Sequence, residues 1–314
     1  CFDSPFRCKV RIMTIEKSSL AAWIMCSRPK TWAIALSPVF VGLAVAFFDT
    51  HTIDWSVALA TLLLSVLMQA ISNMENDAAY TRRNAERSNR KGLPRATSLG
   101  LLSVARVEKA ICLLGVFVAV DTIFLMISGG WVIVLISIAS IVAAYLYMGG
   151  PKPLAYTPLS ELVCFIFFGI TAVCGTYYLQ THSLSVSCFL ASCAVGSFAT
   201  AVLVINNYRD IAHDASVNRR TLAVLLGPEK TRLLYTCLVL FPFASCFGMI
   251  LSDYRLLTVA IVLLPLPACL HLMKTLPKTQ GEALNAVLFS TVKLELFFSV
   301  LLALSIVTAA LLNS

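Results

Sequence analysis

Apolar residues fall into long runs along this chain, separated by shorter polar gaps. A helix needs about 20 apolar residues to cross a bilayer core. By that measure the runs at 30–48, 55–73, 110–127, 131–148, 159–179, 184–206, 233–251, 256–273 and 288–312 each predict a membrane-spanning helix. The pattern predicts an all-α, polytopic membrane protein of about nine transmembrane helices. Lys293 and Glu295 fall near the start of the last run, which makes its boundary the least defined. Ser103 and the Gly227-Pro228 pair read as start signals for the third and seventh helices.

Composition agrees with the pattern. Of 314 residues, 59% are apolar and 13% charged, and the mean hydropathy is +0.85, far from the balance of a soluble domain. The net charge of +8 could suggest nucleic acid, but the basic residues lie in the gaps between spans. With a cytoplasmic N-terminus and nine spans, every one of the 24 Lys and Arg except Arg255 and Lys293 falls on the cytoplasmic side, as the positive-inside rule requires. That distribution excludes nucleic acid as a partner and leaves the lipid bilayer as the protein's surroundings. Residues 1–27 read as an N-terminal cytoplasmic segment, and 28–314 as the transmembrane domain. The first methionine is Met13, so part of the leading segment is expected to lie upstream of the true start. Most of the eleven cysteines, such as Cys112, Cys164, Cys188, Cys237 and Cys269, stand singly inside apolar runs without C-x-x-C spacing and read as small buried hydrophobes.

The two longest hydrophilic loops, after the second and sixth spans, share the cytoplasmic face and resemble each other. "SNMENDAAYTRR" closes one span and "INNYRDIAHDASVNRR" the other, and each leads through arginine and a Leu-Leu pair into the next helix. Two parallel four-helix repeats plus one helix fit this pattern, and membrane proteins often place a site where such repeats meet. Asn73 and Asp77 are four residues apart, as are Asn206, Asp210 and Asp214, so on helices each set lies along one face. Carboxylates stacked in this way repel unless a cation lies between them. The bland reading pairs Asp210 and Asp214 with Arg209, Arg219 or Arg220 as ordinary polar helix ends. The sharper one is Mg²⁺, a hard ion held by a few carboxylates and substrate phosphate oxygens. Arg82, Arg83, Arg219 and Arg220 suit bidentate phosphate contacts. Mg²⁺ and arginine beside an apolar cavity describe a site for a lipid diphosphate.

"NNYRDIAHDASVNRRTLAVLLG" resembles the second aspartate motif of the UbiA superfamily of intramembrane prenyltransferases, and "SNMENDAAY" resembles the first. "RPKTWAIALSPVFVG", "GLPRATSLGLLS" and "YMGGPKPLAYTPLSEL" are similar to the branch that prenylates 1,4-dihydroxy-2-naphthoate in menaquinone synthesis. Tyr80 and Glu86 stand where the first motif commonly continues with aspartates. Asn218 replaces a common glycine, and Arg219 the usual lysine.

The resemblance implies helices around a central cavity in the cell's inner (cytoplasmic) membrane. It implies Mg²⁺-dependent transfer of a polyprenyl chain from an allylic diphosphate to 1,4-dihydroxy-2-naphthoate, giving demethylmenaquinone, diphosphate and CO₂. Asp77, Asp210 and Asp214 would hold Mg²⁺ on the diphosphate, Asn73 and Asn206 would complete or orient that shell, and Arg219 would contact phosphate. Arg28 is a candidate for phosphate or for the acceptor's carboxylate, and equally an interfacial anchor. Tyr147 and Tyr156 could shelter a carbocation with their rings, or belong to the interfacial aromatic belt. Glu161, Asp121, Lys293 and Glu295 are polar outliers at membrane depth, Glu161 more structural than basic. Other aromatic acceptors (4-hydroxybenzoate, homogentisate), a repeat-built transporter and an inactive scaffold are the rival readings.

Overall fold

The computed structural model describes residues 16–82, 94–148 and 153–314. Every regular element among the described residues is helical, as lipid demands of a chain that must satisfy its own backbone groups. In order these are α1 (Leu20–Ser27), α2 (Ala33–Thr50), α3 (Trp55–Arg82), α4 (Val104–Met148), α5 (Ser160–Thr181), α6 (Val186–Ser216), α7 (Leu222–Ser252), α8 (Leu266–Thr275, preceded by a 3₁₀ stretch at Tyr254–Leu263) and α9 (Leu284–Leu312).

Among the described residues seven helices are long and apolar enough to cross a membrane, or eight if the bent pair formed by the 3₁₀ stretch and α8 is one span. The sequence led us to expect nine, a count these helices do not confirm; the expected third and fourth spans both lie on the 45-residue α4, as two helical stretches on either side of a break. A straight helix of that length would run about 68 Å, more than twice the bilayer core. It is interrupted at Gly130, whose backbone takes φ 65° and ψ −158°, a conformation open to glycine and costly for other residues. Its lipid-length window is only 6% buried, and Leu113, Phe117, Ile127 and Trp131 are exposed, as lipid-facing side chains are.

The chain forms two compact units, the described parts of Cys1–Trp32 with Leu67–Ala119, and Ala33–Val66 with Val120–Ser314. In the first, α1 is capped by Ser19, whose Oγ accepts from Ala22 N at 3.3 Å. It ends where Arg28 turns left-handed (φ 50°) and donates its N–H to Ile24 O at 3.0 Å. Pro29 then bars continuation. Ala22, Cys26, Met74, Ala78, Leu102 and Val107 form the core of this unit. Burial pushes the Cys26 thiol up to about 12, which makes it unreactive. Ser103 starts α4 as expected, its Oγ accepting from Arg106 N at 3.3 Å.

In the second unit α6 is buried along most of its length, and the Phe198 ring meets Phe298 of α9 at 5.0 Å. Gly169, in a π-helical stretch of α5, faces Gly196 of α6. A Cβ on Gly196 would come within 2.9 Å of the Gly169 Cα and of Phe165 O, so this is a close approach of small residues of the kind that joins membrane helices. Thr221 caps a short first stretch of α7, its Oγ1 accepting from Val224 N at 3.4 Å, and the backbone leaves helical geometry at Gly227 (φ 71°), so the long helical stretch of α7 starts afresh at Gly227-Pro228, as expected.

Candidate active site

The polar end of α3 belongs to the first unit. Asp77 has no solvent exposure. Its Oδ2 accepts from Ala96 N at 2.9 Å, and its Oδ1 accepts from Thr97 N at 2.9 Å and the Thr97 hydroxyl at 2.6 Å. Thr81 Oγ1 lies 2.6 Å from the same hydroxyl. Asp77 therefore anchors the "PRATSL" stretch to α3. One turn on, Tyr80 carries the buried Arg95 guanidinium over its ring at 3.5 Å, so the aromatic residue in a position commonly held by aspartate serves as a platform for a cation. Asn73 donates from Nδ2 to Ser27 O at 2.9 Å and Thr31 Oγ1 at 3.1 Å, pinning the chain on both sides of Arg28. Arg82 pairs with Glu75 and Glu108 at the exposed surface. Arg83 and Glu86 lie outside the described residues.

The second unit carries the polar end of α6. Arg209, 9% exposed, donates to Asn206 Oδ1 at 2.8 Å, Asp210 Oδ2 at 2.7 Å and Asn285 Oδ1 at 2.7 Å. Asp214, 3% exposed, pairs with Arg219 at 3.3 Å, and the Arg219 guanidinium lies 3.8 Å from the Tyr156 ring centroid. Arg220 N donates to Tyr156 O at 3.0 Å, so the turn after α6 is stitched to the segment before α5. Asn218 sits in that turn at φ 56°. The conformation explains why glycine suits the position, and asparagine is among the side chains that tolerate it best. Tyr156 thus holds Arg219, while Tyr147 is half-buried at the end of α4; Gly149 to Pro151, the break between them, is outside the described residues.

Sequence reasoning missed several members of this arrangement. Asn207 donates from Nδ2 to Glu161 Oε1 at 2.8 Å, which binds the "polar outlier" of α5 to the aspartate motif. Thr97 and Arg95 were legible only as part of a motif, and Arg209 only as a partner for aspartate. Among the described residues no group of three or more His, Cys, Asp or Glu is placed to hold a metal ion. In the first unit Asp77 is held by Ala96 and Thr97, and in the second Asp210 and Asp214 are each held by an arginine. The α6 face nevertheless fits Mg²⁺ in its chemistry, because Asp210, Asp214 and neighbouring amides supply hard oxygens, and Asp210, with 18% of its side chain exposed, is reachable.

A profile of the UbiA prenyltransferase family matches residues 35–301. The chain belongs to the UbiA prenyltransferase family. A 1,4-dihydroxy-2-naphthoate octaprenyltransferase of Escherichia coli (strain K12) is 35% identical over 237 residues, 71% of this chain and 74% of that one. One from Haemophilus influenzae is 33% identical over 245 residues, 76% and 79%. A UbiA homolog from Archaeoglobus fulgidus, solved bound to GPP and Mg²⁺, superposes with a TM-score of 0.66 at 16% identity, covering 91% of this chain and 99% of that one. This UbiA-family chain is a multi-span membrane prenyltransferase.

Proposed function

We propose that the protein transfers a polyprenyl chain from an allylic diphosphate to 1,4-dihydroxy-2-naphthoate, with Mg²⁺, releasing diphosphate and CO₂ and forming demethylmenaquinol, the hydroquinone form of demethylmenaquinone. The observation that carries the reading is the α6 face, where Asp210 and Asp214 stand one turn apart with Arg209 and Arg219 against them. The naphthoate prenyltransferases among its relatives supply the acceptor.

The C–O bond to the leaving diphosphate breaks, the prenyl carbon joins the ring carbon that carries the carboxylate, and that carboxylate leaves as CO₂. Mg²⁺, when bound, would neutralise charge building on the departing diphosphate. Asp210 and Asp214 would hold it, with Asn206 orienting their surroundings. Arg219, stacked on Tyr156, presents a planar set of donors that can exchange Asp214 for a phosphate oxygen. Arg28, fixed by the anchoring of Ser27 and Thr31 on Asn73, would take the acceptor's carboxylate or a phosphate, and Tyr147 would line the path of the prenyl chain. Asp77 would join Asp210 and Asp214 as a metal ligand through the lone pair of Oδ2 that Ala96 leaves open, or by releasing Ala96 and Thr97; in the state described it is an anchor. The membrane is the cytoplasmic membrane, with the N-terminus and both motif loops on the cytoplasmic side.

The test is purified protein in nanodiscs with a long-chain prenyl diphosphate and, separately, 1,4-dihydroxy-2-naphthoate, 4-hydroxybenzoate or homogentisate, with MgCl₂ or EDTA. Product from the naphthoate alone, lost with EDTA, is expected. Preference for another acceptor, or turnover unaffected by EDTA, overturns the reading.

A further inference from the structure

Glu161 and Asn207 form a buried polar pair that the reaction above leaves unused. Glu161 opens α5 at 4% exposure, and both its oxygens are committed, Oε1 to Asn207 Nδ2 at 2.8 Å and Oε2 to the Ser160 hydroxyl at 2.7 Å. Asn207 is 7% exposed. A buried carboxylate contributes little net stability even when paired, because its desolvation offsets the gain. What such a pair fixes is orientation.

An ionised carboxylate only accepts hydrogen bonds. Pairing with Glu161 therefore decides which end of the Asn207 amide faces α5: the amino group points to Glu161, and the carbonyl oxygen is turned away from it. Asn207 stands three residues before Asp210 and seven before Asp214, the spacing that puts all three on one helix face. Asn206 lies about 100° round the helix from it and gives its own Oδ1 to Arg209.

We propose that Asn207 Oδ1 is a direct oxygen ligand for the Mg²⁺–diphosphate headgroup bound along α6, and that Glu161 is the positioning residue that keeps this oxygen aimed. The proposal rests on the prenyltransferase reading above and adds a ligand to it. An amide oxygen is a hard donor suited to Mg²⁺, and it adds coordination on the Asp210–Asp214 face without adding a third repelling charge.

The experiment uses full-length protein in nanodiscs and two readouts. One is the MgCl₂ dependence of prenyl transfer to the naphthoate. The other is the thermal shift on titrating MgCl₂ with inorganic pyrophosphate, without acceptor. Asn207→Ala is expected to raise the half-saturating Mg²⁺ concentration about 10–100-fold in both. Glu161→Leu should follow it, and Glu161→Gln, whose side-chain carbonyl can accept the same hydrogen bond, should stay within about threefold of wild type. If Asn207→Ala does not fold, Asn207→Ser is read in its place. Wild-type titrations for a folded Asn207 variant overturn the proposal, and Glu161→Gln failing together with Glu161→Leu overturns the positioning role. A wild type that binds Mg²⁺–pyrophosphate but makes no product sinks the prenyl-transfer reading alone, and the pyrophosphate titrations of the variants then decide on Asn207. A wild type with no Mg²⁺-dependent pyrophosphate binding sinks the Asn207 proposal.

Discussion

At Asp77 every oxygen of a fully buried carboxylate is spent on the backbone and hydroxyl of Ala96 and Thr97. Asp77→Ala leaves two buried N–H groups without partners, and should lower the unfolding free energy by about 3 kcal/mol. A thermal-unfolding midpoint equal to wild type would contradict that anchoring role. In the second unit, Asp253 accepts from the backbone N, Nε and Nη2 of Arg255 at 2.7–3.1 Å, and these hydrogen bonds hold its carboxyl below the usual range. A depressed folded pKa stabilises above the unfolded value, and that stability is lost as pH falls through the folded one. The midpoint difference between wild type and Asp253→Asn should therefore shrink as pH drops below the ordinary carboxylate value of 3.8. It should also be small, because Arg255 is half exposed and solvent screens the pair. A difference that grows on acidification would contradict the assignment. The residue scale is where sequence reading reached least far. Spacing put Asp210 and Asp214 on one face, but the choice between neighbours Asn206 and Asn207 depends on which helix packs against which side, and Asp77's partners lie about twenty residues further along the chain.

Elements were far more legible, because the apolar run that lipid demands is written directly in the chain. The nine expected runs fall mainly on helical elements, and the details depend on single backbone conformations. Gly130 breaks α4 between the expected third and fourth spans, and a short stretch capped by Thr221 precedes the expected helix start at Gly227-Pro228. The contact of α5 with α6 was not legible, since it needs Gly169 and Gly196 to be brought face to face from separate spans. Gly196→Leu would drive a side chain into Phe165 O and the Gly169 Cα. It should destabilise the protein by about 1–3 kcal/mol and, by separating Glu161 from Asn207, raise its Mg²⁺ requirement. A variant as stable and as active as wild type would show that this close approach does not hold the site.

For the whole molecule, family and chemistry were both foreshadowed by the two aspartate motifs and by basic residues gathered in the gaps between spans. The state of those motifs was not foreshadowed, because arginines that suit phosphate are equally able to hold carboxylates. Arg209 and Arg219 do the latter in the state described, and substrate binding would require them to trade partners. The central claim is transfer onto the carboxylate-bearing carbon of the naphthoate, and it is tested most directly with 1,4-dihydroxy-2-naphthoate labelled in its carboxyl group. The account predicts one labelled CO₂ for each unlabelled prenylated product, with both abolished in Asp210→Ala or in EDTA. Prenylated product that retains the label, or undiminished yield from Asp210→Ala, would contradict it.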